Sequence, residues 1–374
     1  MLRGHGGRHD SRDRPDDDEA AGFFGVLSLS GVQPEIVAVA ARTPVGLTAE
    51  SSAAAFRAGL DRVREHPFMV DAAGDPLRCS MDALLEPGLL GARRMSALAL
   101  AALNELVGKL GSAREQVGGA HALLVLPEAR PGFGDSEAQI VLREVSGVLP
   151  WATVELSAGG HAGGLAALDQ ARGWIANGAP LVVVVAADTY LDADTLDWLD
   201  EDRRLHRADI RCGFTPGEAA VALALMPEVE RRRARLPALA RVRTTRQAVE
   251  RRSRKSESGL LGEGLAEVLR SVRAEVSLPE ERADCLYGDI NGERHRSEDW
   301  GFALLRCPEL VQDGTTYLSP ASAFGDIGAA TGAMGALLAS QAWARGYAAG
   351  PGALLWAGSD GGLRAVALLQ RGEA

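Results

Sequence analysis

Cysteine is scarce: Cys79, Cys212, Cys285 and Cys307 are the 4 in 374 residues, and no two form a CxxC pair. That spacing excludes a disulfide framework and a zinc site of the paired-cysteine type, leaving reduced, mostly buried thiols as the expectation. Aromatic residues make up 5% of the chain, which argues against an aromatic-rich binding surface. No apolar run approaches the ~20 residues that span a bilayer. The first residues, 1–19, are charged and unlike a signal peptide, so a cytoplasmic protein off the membrane is expected. Positive charge is also short, with Lys plus Arg at 40 against Asp plus Glu at 50, a net charge of −10. Duplex binding relies on phosphate neutralisation by cations, so nucleic acid is not expected as a partner.

What is present fits a globular protein, with 46% hydrophobic and 24% charged residues. The 44 glycines point to tight turns and close backbone approaches. A chain of 374 residues has room for two core-forming units, since single cores stop growing near ~250–300 residues. Residues 1–21 are rich in Arg, Asp and Gly with no apolar period, and are expected to form a disordered tail. One basic run, residues 231–255, carries eleven Arg and Lys side chains, from Arg231 to Lys255. It is either a solvated strand and loop or a docking patch for an acidic partner.

Periodicity predicts strands at 35–40, 122–126, 153–156, 181–187 and 219–226, and helices at 53–60 (capped by Thr48), 92–110, 136–148 and 162–177. After Pro237 the theme repeats, with strands at 238–246, 285–290, 316–319, 353–357 and 363–369 and helices at 261–276, 298–305 and 328–345. Continuous apolar runs such as 181–187 belong to sheets covered on both faces. Strands alternating twice with helices predict an α/β protein of two packed halves. The expected divisions are a tail at 1–33, an N-terminal half at 34–232 and a C-terminal half at 233–374.

Five motifs, in order, resemble the β-ketoacyl synthases of the thiolase superfamily. Residues 36–46 (IVAVAARTPVG) are similar to the family's opening strand and Thr-Pro-x-Gly turn. Residues 161–188 (HAGGLAALDQARGWIANGAPLVVVVAAD) resemble the nucleophile helix and the strand after it, and 213–225 (GFTPGEAAVALAL) the entry to the strand that closes the first half. Residues 325–332 (GDIGAATG) look like the third active-site loop, and 358–362 (GSDGG) like the C-terminal glycine loop. The resemblance implies a thiolase-like five-layered αβαβα fold of two similar halves. It also implies a dimer, either a homodimer or a heterodimer with a related synthase, pairing across the strand edge near 153–156. The partner implied for the chemistry is an acyl carrier protein or acyl-CoA, with no cofactor and no metal.

The family residues do not carry over. Where the family has its nucleophilic cysteine at a helix start, Gly164, Ala171, Ile175 and Gly178 set the register so that His161 takes that place. Asp289 is the best positional match for the family's first catalytic histidine, and Asp326 stands where a second His or Asn would be. A condensing enzyme needs a thiolate favoured by the helix end and donors facing an enolate-like oxygen, whereas carboxylates there would repel it.

Three readings stay open. His161, Asp289 and Asp326 fill a pocket without condensing activity, on a fold used as a partner or scaffold in fatty acid or polyketide metabolism. Alternatively, His161 with a carboxylate forms a base for acyl transfer or acyl-thioester hydrolysis, or a residue such as Ser157 is recruited. In the third, the His and two Asp residues bind a divalent metal, although no HxxH or HxxxD spacing supports it. Near the second loop, Arg294 or Arg296 can act as a clamp for phosphopantetheine or a carboxylate. The competing expectation is a solvated helix start with Ser297 as N-cap and Glu298 and Asp299 in the first turn.

Overall fold

The computed structural model describes residues 33–113, 115, 119–252, 254–257 and 259–373. The tail expected at 1–33 therefore lies outside the described residues, save Gln33.

The first strand, β1 (Glu35–Arg42), is buried almost throughout, and Thr43 to Gly46 close a turn in which the Gly46 N–H donates to Thr43 Oγ1 at 3.0 Å. A Cβ on Gly46 would lie 2.3 Å from the backbone nitrogen of Ser52, which is why the turn needs glycine. Helix α1 (Ala49–Arg57) follows, capped by Thr48 in a capping box with Ser51. It ends three residues short of the expected 60. A hairpin, β2 (Val63–Val70) and β3 (Pro76–Ser80), was not expected from the sequence. Its apolar positions are too few to show a period.

Next come α2 (Gly91–Lys109), β4 (His121–Val125), α3 (Asp135–Ser146), β5 (Thr153–Ser157), α4 (Gly160–Ala176) and β6 (Val182–Thr189). Helix α5 (Ala193–Glu201), β7 (Glu218–Met226) and α6 (Glu228–Ala234) complete the first half. The second half holds β8 (Ala240–Val249), α7 (Glu263–Arg273), β9 (Cys285–Tyr287), α8 (Arg294–Arg306), α9 (Ala321–Phe324), α10 (Thr331–Ala344), β10 (Gly352–Gly358) and β11 (Leu363–Arg371).

The main sheet runs β5-β4-β6-β7-β1-β8-β11-β10-β9. The two half-sheets meet where β1 pairs β8 through Glu35 with Arg241 and Ile36 with Ala240. Beyond β9, the strand expected at 316–319 is reduced to one parallel bridge, Tyr287 to Leu318. That bridge occupies the place that β5 holds beside β4, so the halves share one plan with the fifth strand of the second nearly lost.

Three cores define the layers. One packs α2 and α3 on the outer face of the first half-sheet, and another packs α7 and α8 on the outer face of the second. Between them, α4 and α10 are enclosed by both half-sheets. This gives helix, sheet, helix, sheet, helix, the five-layered thiolase-like arrangement. The enclosed helices are rich in Ala and Gly because their backbones approach closely, and a Cβ on Gly164 would sit 2.6 Å from the backbone nitrogen of Ala333. No helix of the described residues is long and apolar enough to cross a membrane.

Candidate functional site

The centre forms where the N-terminus of α4 meets the 325–332 loop at the start of α10. Gly160, at φ +54, turns the chain from β5 into α4, and a Cβ there would press at 3.1 Å on both Glu128 Oε2 and Ser359 Oγ. The next residue, His161, is thereby presented in the first turn of α4 with only 6% of its surface exposed. Ser359, from the glycine loop after β10, caps the same helix end. Its Oγ accepts from the Ala162 N–H at 2.9 Å and donates to the Gly159 carbonyl at 2.6 Å.

Asp326 is in direct contact with His161, with Nε2 at 2.8 Å from Oδ1 and 3.1 Å from Oδ2. The loop that carries it is fixed by Asp188 at the end of β6, whose Oδ2 accepts from the Ala329 N–H at 2.8 Å. Asp326 also accepts from the Gly328 N–H at 2.8 Å, Asn291 Nδ2 at 2.5 Å and the Tyr190 hydroxyl at 3.4 Å. Burial alone would raise its pKa, but His161, Arg296 and Asn291 together hold it well below the usual carboxylate range.

Asp289 does not reach His161 directly. Its Oδ2 accepts from Arg296 Nη1 at 2.6 Å and from the Gly358 N–H at 2.7 Å, while Arg296 Nη2 faces both His161 ring nitrogens at 3.3 and 3.2 Å. Arg296 is thus the bridge between the expected site residues. Although burial opposes its charge, Asp289, Asp326, Glu293 and Asp360 favour the cation and raise its pKa.

Ionised Asp326 only accepts, so it takes a hydrogen bond from His161 Nε2, while the Arg296 guanidinium, which only donates, lies against the imidazole with Nη2 about equally far from both ring nitrogens. Both ring nitrogens are engaged.

The solvated helix start expected at Ser297 is corrected. Helix α8 begins at Arg294 after an N-cap at Glu293, and Glu293, Arg296 and Asp299 turn inward to Arg204, Asp289 and Arg364. Of the two residues named as a clamp, Arg296 is 4% exposed and its guanidinium holds internal partners, whereas Arg294 is exposed and pairs with Glu298. Sequence reasoning missed Asn291, Tyr190, Arg130 and Arg204. Arg204 binds Glu293 at 2.7 Å and Asp360 at 2.6 Å, and Arg130 binds Asp188 at 2.6 Å across the Tyr190 ring. The position of Asn291 two residues after Asp289, and of Tyr190 just after the apolar strand, was the available signal. Nothing local distinguished the two arginines from surface residues.

A cavity of 340 Å³ opens on His161 and Gly160. Its walls include Glu128, Arg130, Asp188, Arg204, Lys255 and Asp360, so it is lined by charge, with Tyr190 and Trp198 as its aromatic surfaces. Ser157, at the end of β5, is not part of this lining. The cysteines lie elsewhere: Cys79, Cys285 and Cys307 are buried as free thiols, and Cys212 is an exposed one. Among the described residues, no group of three or more His, Cys, Asp or Glu side chains is placed to hold a metal ion. The basic run is largely spent on internal pairs, among them Arg231 with Glu35, Arg243 with Glu281, and Arg254 and Lys255 with Asp202.

No family model and no curated protein matches the sequence. Solved structures do share its architecture. The ketosynthase from module 6 of the bacillaene synthase from Bacillus subtilis 168 superposes with a TM-score of 0.72 at 13% identity, over 91% of this chain and 72% of that one. The ishigamide ketosynthase/chain length factor gives 0.66 at 19% identity, over 91% and 99%. A type II PKS acyl-carrier protein in complex with its ketosynthase bound to the hexaketide gives 0.75 at 11% identity, again over 91% and 99%. At these identities the likeness is one of fold. The chain has the thiolase-like ketosynthase fold.

Proposed function

We propose that this ketosynthase-fold protein has exchanged the condensing chemistry for a buried ion network, and that it acts as a non-condensing partner or scaffold in fatty acid or polyketide metabolism. The observation that carries the reading is the enclosure of His161, whose Nε2 lies 2.8 Å from Asp326 and whose ring nitrogens both lie within 3.3 Å of Arg296 Nη2. A base or nucleophile at His161 would have to gain positive charge beside that buried guanidinium, which opposes it. Asp289 and Asp326 further supply negative charge where condensation needs donors. The partners that fit are an acyl carrier protein or acyl-CoA. Assembly through the β5 edge gives a homodimer or a heterodimer with a related synthase, and the division into halves at 34–232 and 233–374 belongs to the same reading.

The test is incubation of the purified chain with acyl and malonyl thioesters of a carrier protein and of coenzyme A, followed by intact-mass and product analysis. The expected outcome is an unmodified chain and no β-ketoacyl product. Formation of a β-ketoacyl product overturns the reading.

The cavity on His161 favours a second reading, acyl transfer or acyl-thioester hydrolysis with His161 as base. Thioester consumption that His161→Ala abolishes would establish it in place of the first.

A further inference from the structure

Arg296 borders a second, much smaller cavity of 20 Å³, together with Asp289, Asp299, Trp356, Asp360 and Arg364. Three side-chain atoms of the lining residues, Arg296 Nε, Asp299 Oδ1 and Trp356 Nε1, are buried and have no hydrogen-bond partner among the described residues, the nearest acid to Arg296 Nε being Glu293 Oε2 at 3.5 Å. Their side chains are not free to turn elsewhere. Both Nη groups of Arg296 are committed to Asp289, Gly358 and His161, and Asp299 Oδ2 accepts from Arg364 Nε at 2.6 Å. The Trp356 indole is stacked on Trp300 at 3.8 Å between ring centroids, and its Cε2–Cζ2 edge lies against Gly288.

Polar groups buried this deeply are almost always satisfied, because an orphan forfeits its hydration without compensation. The chemistry of the three atoms selects the ligand. Two are donors and one belongs to a carboxylate. Chloride could accept from the donors, and Arg252, Arg254 and Arg364 of the lining would favour it, but it has no proton for the Asp299 oxygen, whereas ammonium could donate to Asp299 but has no lone pair for Arg296 or Trp356. Water has two lone pairs and a proton for the carboxylate. It also fits, since one molecule needs about 10–15 Å³ of such space.

We infer that a single buried water is an integral part of this site, accepting from Arg296 Nε and Trp356 Nε1 and donating to Asp299 Oδ1. It steadies the guanidinium at a third nitrogen while the other two hold Asp289 and His161. The water thus links the Asp299–Arg364 pair to the His161 centre, whichever activity that centre has.

Crystals of the full chain, at a resolution that shows ordered solvent, should contain one peak at about 2.7–3.2 Å from all three atoms. Bromide-soaked crystals should show no anomalous signal there. Trp356→Phe keeps the ring and removes one donor, so its folded protein should show that peak lost or weakened relative to other buried waters. The inference is overturned by an empty cavity, by a bromide peak, or by a water of unchanged order in W356F.

Discussion

Arg296 holds the centre together, and its neighbours make its removal costly. Arg296→Met would leave Asp289 buried without its cation and His161 without its donor, a change that costs about 3–5 kcal/mol when one partner of a buried pair is lost. Urea unfolding should show this, while Arg294→Met, at a side chain 79% exposed, should change stability by less than about 0.5 kcal/mol. Asp326 gives a pH signature. Its folded pKa is depressed below the unfolded value, so the unfolded chain binds more protons in acid and the stabilisation is present above about pH 4 and lost as pH falls. Unfolding measured from pH 6 down to pH 3 should show that loss, and Asp326→Asn should flatten it. His161→Cys would place a thiol in the first turn of α4 beside Arg296, where the helix end and the guanidinium both favour thiolate. In a Cys212→Ser background, iodoacetamide should label that thiol at least about tenfold faster than it labels the exposed Cys212 of the parent.

At the scale of elements, α4 carries glycines with opposite meanings. Gly164 lies against α10, where a Cβ would come within 2.6 Å of the Ala333 nitrogen and 3.2 Å of its Cβ, whereas nothing lies within 4 Å of a Cβ on Gly173. Gly173→Ala should therefore stabilise the helix by about 0.5–1 kcal/mol. Gly164→Ala should destabilise the protein, because backbone rather than a flexible side chain must move. Thermal melts of the two variants should shift in opposite directions. The sequence showed α4 by its period and its flanking strands. It did not show that α4 and α10 cross so closely, since that depends on two segments more than 150 residues apart.

For the whole molecule, the open feature is the β5 edge. Among the described residues β5 pairs with β4 alone, and Glu155 and Leu156 on it are exposed. An uncovered edge of this kind is a template for another strand, and closed pairing of two copies covers both. Light scattering at micromolar concentration should give twice the mass of one chain, and Leu156→Lys should shift the population to monomer. A chain that stays monomeric would favour pairing with a different synthase. Within the basic run, acids from β1, the C-cap of α5 and the segment around Glu275 and Glu281 pair with many of the arginines. Sequence distance hid those pairings.

The amino-acid sequence by itself determined the α/β alternation, the strands buried on both faces and the glycine turns around the centre, because these rest on local period and local backbone geometry. The expected residues His161, in the first turn of α4, and Asp326, in the loop before α10, lie in contact. Tertiary structure decided the rest. The fifth strand of the second half shrank to a bridge at Leu318, α8 started early to turn Glu293, Arg296 and Asp299 inward, and Asp289 reached His161 only through Arg296. Each outcome depends on which distant charge or backbone group is present to satisfy a buried polar atom, and a one-dimensional pattern does not encode that proximity.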